Sequence, residues 1–285
     1  MSKIPAPVLD HVVINVKEQL DDALAIYRKL GFAPTERGHH SLGSSNHLAI
    51  FGENYLELLG YETGKTIQRP EVVEAPLGLT GLVFKTTDSL GLYDAIRAGG
   101  LAVEPPAEFG RPVNLPDAVR EARFRTVRLG VELVRNGRTF FCHHFTPELV
   151  WRDEWRAHPN GVTDIVGFVI ASASPEQTVA LYETLFDRKA VSAAEAGGRV
   201  FQAGRARVEF VTPAQAERRF GPVATTDDGS ERNVALILQT SSLARLRATL
   251  AENGVPSATL ADGSVRVLAG DAFGVALQFV EEAAR

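Results

Sequence analysis

At 285 residues the chain is long enough for one large domain or two ordinary ones, and 45% hydrophobic with 23% charged residues is the balance of a soluble globular protein. A net charge of -5 supplies no basic field for nucleic acid or an anionic membrane, so neither partner is expected. The single cysteine, Cys142, excludes an intrachain disulfide, and the absence of a signal-like stretch in residues 1–7 or of any membrane-length apolar run points to a cytoplasmic protein.

The first strand is Leu9-Asp10-His11-Val12-Val13-Ile14-Asn15-Val16, with Val12, Ile14 and Val16 on one face and His11, Val13 and Asn15 on the other. A helix follows over roughly residues 18–30, its apolar stripe formed by Leu20, Ala23, Leu24, Tyr27 and Leu30 and its end marked by Gly31. Strands are expected at 32–37, 47–51 and 55–59, the last carrying Tyr55 and Glu57 on one face. The order then repeats. A strand at 79–86, a helix with Leu92, Tyr93 and Ile96, and strands near 123–129, 131–134 and 139–145 make a second unit. A third has a strand at 164–171, a helix with Val179, Tyr182, Leu185 and Phe186, and strands near 200–203 and 207–211. A fourth has a strand at 233–239, a helix with Leu243, Leu246 and Leu250, and strands at 265–269 and 275–280.

Four units in which period 2 alternates with period 3.6 predict an α+β fold of four βαβββ units. Each unit alone is too small to bury its sheet face, so they should pair. The polar stretch 147–160 is the expected connection, giving domains at 1–146 and 161–285. All seven histidines precede residue 159, and a histidine at one end of a unit with a carboxylate at the other is one way to build a metal pocket between strands.

These units, with His11 in the first strand, Glu57 closing the first unit, and the segment Thr139-Phe140-Phe141-Cys142-His143-His144-Phe145-Thr146-Pro147-Glu148, resemble the vicinal oxygen chelate (VOC) superfamily, and within it the glyoxalase-like domain proteins. The likeness covers nearly the whole chain but is specific only in the first half. It implies two glyoxalase-like domains whose paired units curl into a cup for a divalent metal. Members include glyoxalase I, extradiol dioxygenases, epimerases and metal-free drug-binding proteins such as those of bleomycin resistance.

Counting five residues from the turn glycines Gly52, Gly137 and Gly204 reaches Glu57, Cys142 and Glu209, so His144 shares the Cys142 face and is the favoured second-unit ligand. His143 is its rival, since a one-residue bulge would exchange the two. His11, Glu57 and one of the pair 143/144 would suit Fe2+, Mn2+ or Zn2+ with open positions for substrate. His47, on the face opposite Leu48 and Ile50, is expected to look into the cup as ligand, base or donor, and Tyr55 to orient a bound anion. The second pair of units, with Val166 near the first-strand position and Gln278 in its last unit, is expected to bind no metal.

The bland alternatives are specific. Glu57 would instead pair with an arginine such as Arg125, His39 and His40 would be solvated or at the cup rim, His158 would cap a turn, and Cys142 would be a buried apolar residue. The partner expected is a small oxygenated molecule, handled by isomerase, lyase or dioxygenase chemistry, with a possible homodimer. The competing expectation is a non-catalytic binding or resistance protein.

Overall fold

The computed structural model describes residues 4–194 and 197–282, so the outer ends of the expected first and last domains lie outside the described residues. The first half contains β1 (Leu9–Lys17), α1 (Leu20–Lys29), β2 (Gly38–His39), β3 (Ser44–Ile50), β4 (Tyr55–Tyr61) and α2 (Pro70–Glu74). It continues with β5 (Gly78–Lys85), α3 (Ser89–Ala98), β6 (Ala107–Asn114), β7 (Val119–Arg128) and β8 (Arg138–His144). The second half has β9 (Val162–Ala171), α4 (Pro175–Phe186), β10 (Val191–Ala193), β11 (Arg199–Ala203), β12 (Ala206–Val211) and α5 (Pro213–Phe220). After these come β13 (Arg232–Thr240), α6 (Leu243–Glu252), β14 (Ala258–Thr259), β15 (Val265–Val267) and β16 (Ala276–Glu281).

Two eight-stranded sheets result, ordered β2-β3-β4-β1-β5-β8-β7-β6 and β10-β11-β12-β9-β13-β16-β15-β14. In each, two units meet where their first strands pair antiparallel, β1 with β5 and β9 with β13, and each first strand lies parallel to the last strand of its own unit. The expected α+β architecture of paired VOC units is therefore the observed one.

Helix α1 buries Leu20, Ala23 and Tyr27, carries Asp21 and Asp22 in its first turn and Arg28 and Lys29 in its last, and so complements its dipole. Gly31, at φ 83°, then turns the chain out of the helix in a conformation that only glycine adopts cheaply. The helix-covered faces of both sheets share one apolar core, in which Phe84 of β5 touches Phe186 of α4 and Phe201 of β11. Burying such rings contributes roughly 1.5–3 kcal/mol each. Separate apolar clusters line the opposite, cup-shaped faces. Asn54 ties the halves by donating to the Ile165 carbonyl and accepting from its N–H.

Several elements differ from the periodicity-based expectation. Residues 32–37 form no strand, and 131–134 contains a 3-10 turn, Val131–Leu133, instead of one. Strand β6 is absent from the expected elements; as the terminal strand of its sheet it tolerates Pro112. The connection at 147–160 is no solvated tether. Leu149, Val150, His158 and Asn160 are all buried in it.

Candidate metal centre

The centre begins with an irregularity in β1. Leu9 pairs with Phe84 and His11 with the adjacent Val83, leaving Asp10 as an extra residue. A bulge of this kind lets neighbouring side chains turn to the same side, and Asp10 and His11 are both buried there. The Asp10 carboxylate lies 2.6 Å from His11 Nδ1 and 2.9 Å from His144 Nε2 through one oxygen, Oδ1. A carboxylate oxygen accepts, so both imidazoles present N–H to it, leaving His11 Nε2 and His144 Nδ1 as the outward nitrogens. Asp10 Oδ2 and His144 Nδ1 are buried without a hydrogen-bond partner. Burial pushes the Asp10 carboxyl up, but the His144 charge and the bonds to both imidazoles outweigh it and hold it far below the usual range.

Glu57 stands on the other edge of the His11 ring. Its Oε2 is 3.8 Å from His11 Nε2, its Oε1 accepts from Asn46 Nδ2 at 2.6 Å, and His40 Nε2 lies 4.0 Å from Oε1. Burial raises the Glu57 carboxyl, whereas the His11 and His40 charges, the Asn46 bond and Arg69 bring it below its ordinary value. Tyr55, opposite His11 in the β1–β4 pairing, stacks on the His11 ring at 4.4 Å and 10°. Its phenol is pushed well above 10 by burial and by the Asp10 charge, so it stays neutral.

His11, His40, Glu57 and Tyr55 line a narrow cavity of about 30 Å³ with Arg69 and Arg111. Phe109, Phe124 and Phe140 supply apolar wall, and Cys142 sits in it with its thiol raised well above 9.0 by burial, no nucleophile. Val150 also lines the cavity, and the adjacent Trp151 packs 4.8 Å from the His144 ring and 5.6 Å from Tyr55.

Of the residues singled out from sequence, His11, Glu57, Tyr55 and His144 come together. His144 is the inward member of its pair; His143 faces Ser89 of α3 at 3.2 Å and stacks on Phe145. His47 does not enter the cup. Leu48 pairs directly with Glu57 and so shares its face, which sends His47 to the other side, against the Thr35 carbonyl and Arg37. The expectation failed because it reserved the cup for polar side chains, whereas Leu48 and Ile50 are part of its apolar wall. Arg125 pairs with Glu108 rather than Glu57. His39 bonds to Ser45, while His158 accepts from the Ala33 N–H and donates to the Ile50 carbonyl, a structural role.

Sequence reasoning missed Asp10, His40, Asn46 and Arg111. His40 is turned inward by the tight turn to Gly43 and by its contact with Ser44, and burial pushes its imidazole down to about 3. A usable signal existed only for Asp10, the one acid in the first strand.

The second cup is built differently. Gly167 and Glu209 occupy the places of His11 and Glu57 in the strand register, and Val166, not Gly167, is the bulged residue in the place of Asp10. The expected first-strand position is thus displaced by one. Glu209 is paired with Arg219 of α5 at 2.8 Å, and Arg219 also donates to Gln278 at 2.9 Å.

A divalent metal fits the donor chemistry of the first cup. The ligand atoms of Asp10, His11 and His144 lie within 4.8 Å of one another, and the outward His11 Nε2 faces Glu57 Oε2. The arrangement of a ring held from behind by a carboxylate is the usual support of a metal-ligating histidine.

Comparison with known proteins bears on the family and the fold. A family model described as a glyoxalase-like domain matches residues 9–186. A search of curated proteins finds no match. Among solved structures, a hypothetical protein from Staphylococcus aureus superposes with a TM-score of 0.64 at 14% identity, over 96% of this chain and 99% of that one. A mutant of 4-hydroxymandelate synthase from Streptomyces coelicolor gives 0.60 at 12% identity, over 99% and 94%. A xylose isomerase-like TIM barrel/4-hydroxyphenylpyruvate dioxygenase fusion protein gives 0.56 at 14% identity, over all of this chain and 51% of the other. At these identities the structures speak for the fold.

Proposed function

The chain belongs to the glyoxalase-like domain family, of VOC type, and on that premise we propose that it is a metal-dependent enzyme acting on a small oxygenated organic molecule. The observation that carries this reading is His11, a buried imidazole held between two buried carboxylates at a narrow cavity. His11 Nε2 and Glu57 Oε2 would hold the ion on the cavity side, with His40 the nearest further imidazole, while Asp10, itself bonded to His144, fixes the His11 ring from behind. A bound divalent ion supplies Lewis acidity that polarises a carbonyl or stabilises an enolate, which serves isomerase, lyase and dioxygenase chemistry alike.

The remaining parts of the cup have definite work. Tyr55 keeps the His11 ring in plane by stacking, and its neutral phenol is able to donate a hydrogen bond to a substrate oxygen. Glu57, ionised at neutral pH, would supply the anionic ligand on the cavity side. The phenylalanine walls and Trp151 keep water away, which strengthens each of these electrostatic contacts. The likeness to a 4-hydroxymandelate synthase and to a dioxygenase fusion protein favours oxygen chemistry as the first assay to try.

A second ligand arrangement has an observation of its own. The Asp10, His11 and His144 donors are mutually close enough to share an ion that replaces the two bridging protons. Metal analysis of two variants separates the arrangements. Loss of metal from Glu57→Gln with retention in His144→Ala supports the cavity-side site; the reverse pattern supports the Asp10 site. A wild-type protein that holds no metal and is inert toward oxygenated substrates, yet binds small apolar molecules, would overturn both and leave a binding protein.

A further inference from the structure

The cup has guanidinium groups that its candidate metal chemistry does not use. Arg111 reaches the cavity from β6 and is only 5% exposed, and its Nη2 has no hydrogen-bond partner. Arg69 lines the same cavity, donating to Glu71 and Ser44. These two guanidiniums face a single cavity-lining carboxylate, Glu57. Beyond them Arg138, 8% exposed, has none of its three nitrogens hydrogen-bonded, with Glu71 no closer than 3.8 Å. A buried guanidinium without acceptors is costly, so such a group calls for a counter-anion.

Deepening the reading of this cup as the substrate site, we propose that it selects a short-chain carboxylate, whose head is received by Arg111 beside Arg69 and whose apolar remainder lies against Phe109 and Phe124. Two features select that class. The planar fork of a guanidinium matches the two oxygens of a carboxylate. The remaining wall, Leu48, Leu59 and Phe140 included, offers an apolar surface that a neutral polar molecule would not use.

The test is calorimetric titration with sodium acetate, with acetamide and inorganic phosphate as comparison probes. It is run on the protein as purified and again after metal is removed on a chelating resin, so that acetate binding cannot be coordination to an ion. Saturable acetate binding that survives metal removal, exceeds phosphate, is absent for acetamide, and weakens roughly tenfold or more in Arg111→Gln is the expected result. Arg111→Lys, which keeps the charge without the fork, should fall between the two and covers the case in which Arg111→Gln folds poorly. Equal binding of acetamide, tighter binding of phosphate, or undiminished acetate binding in both variants would overturn the proposal. Because the titration is read without metal, its failure leaves the metal reading standing, and a metal-free native protein leaves this one standing.

Discussion

In the first sheet the bulged residue of the central strand is Asp10, and the next residue is His11; in the second sheet the same two places hold Val166 and Gly167. A carboxylate closes the unit in both, Glu57 and Glu209, yet one faces an imidazole across 3.8 Å and the other is neutralised by Arg219 at 2.8 Å. Space follows the same division. A Cβ built on Gly167 would lie 2.5 Å from Ile237, so the place of the His11 side chain is filled by packing in the second cup. The lesson is that backbone geometry makes a cup twice, and two adjacent residues decide whether an imidazole and a second carboxylate enter it.

Exchanging those residues should break the difference most strongly. Asp10→Val gives the first cup the second cup's bulge residue and removes the carboxylate behind His11. Metal affinity, read by competition with a chromogenic chelator, is expected to fall roughly 10- to 100-fold. Unchanged affinity would show that Asp10 does not orient the site. In the second cup Arg219→Met leaves Glu209 without its cation and should lower unfolding stability by about 1–3 kcal/mol in urea, with metal content unchanged. Metal loss in this variant would mean that the two cups are not chemically independent. Gly167→Ala tests the packing side and should cost about 1–3 kcal/mol through the clash with Ile237; a neutral result would show that the site has room.

The smallest effect concerns the junction. His158 is depressed by burial despite its bond to the Ile50 carbonyl, and its Nδ1 accepts from Ala33, so the folded state keeps it neutral. The unfolded chain takes up the proton first, below the ordinary value of about 6.5. Stability from this group is therefore complete above that value and is lost as pH falls through it. His158→Gln should flatten the decline between about pH 7 and 5 in urea titrations, at a cost of about 1 kcal/mol at pH 8. An unchanged slope would place the titrating group elsewhere.

The doubled fold was legible because strands with buried faces and helices with apolar stripes write their periods into the sequence; the Leu9–Val16 and Leu20–Leu30 patterns became β1 and α1 almost unchanged. The site was legible where a residue's face followed from alternation, as for His11, Glu57 and His144. It was not where the backbone breaks alternation or where distant chain meets the cup. Asp10 points inward only because of the bulge, His40 because of a tight turn, and Arg111 because a proline-containing segment pairs as a terminal strand. His47 was misassigned for a different reason: both faces of β3 are buried, so polarity did not tell the cup from the core.

The central claim is that the first cup, and not the second, holds a divalent ion at His11. Elemental analysis of untagged protein tests it most directly. The account predicts about one equivalent of iron, manganese or zinc per chain, lost in His11→Ala and retained in Glu209→Gln. A native protein without bound metal, or one whose metal survives His11→Ala, would contradict it.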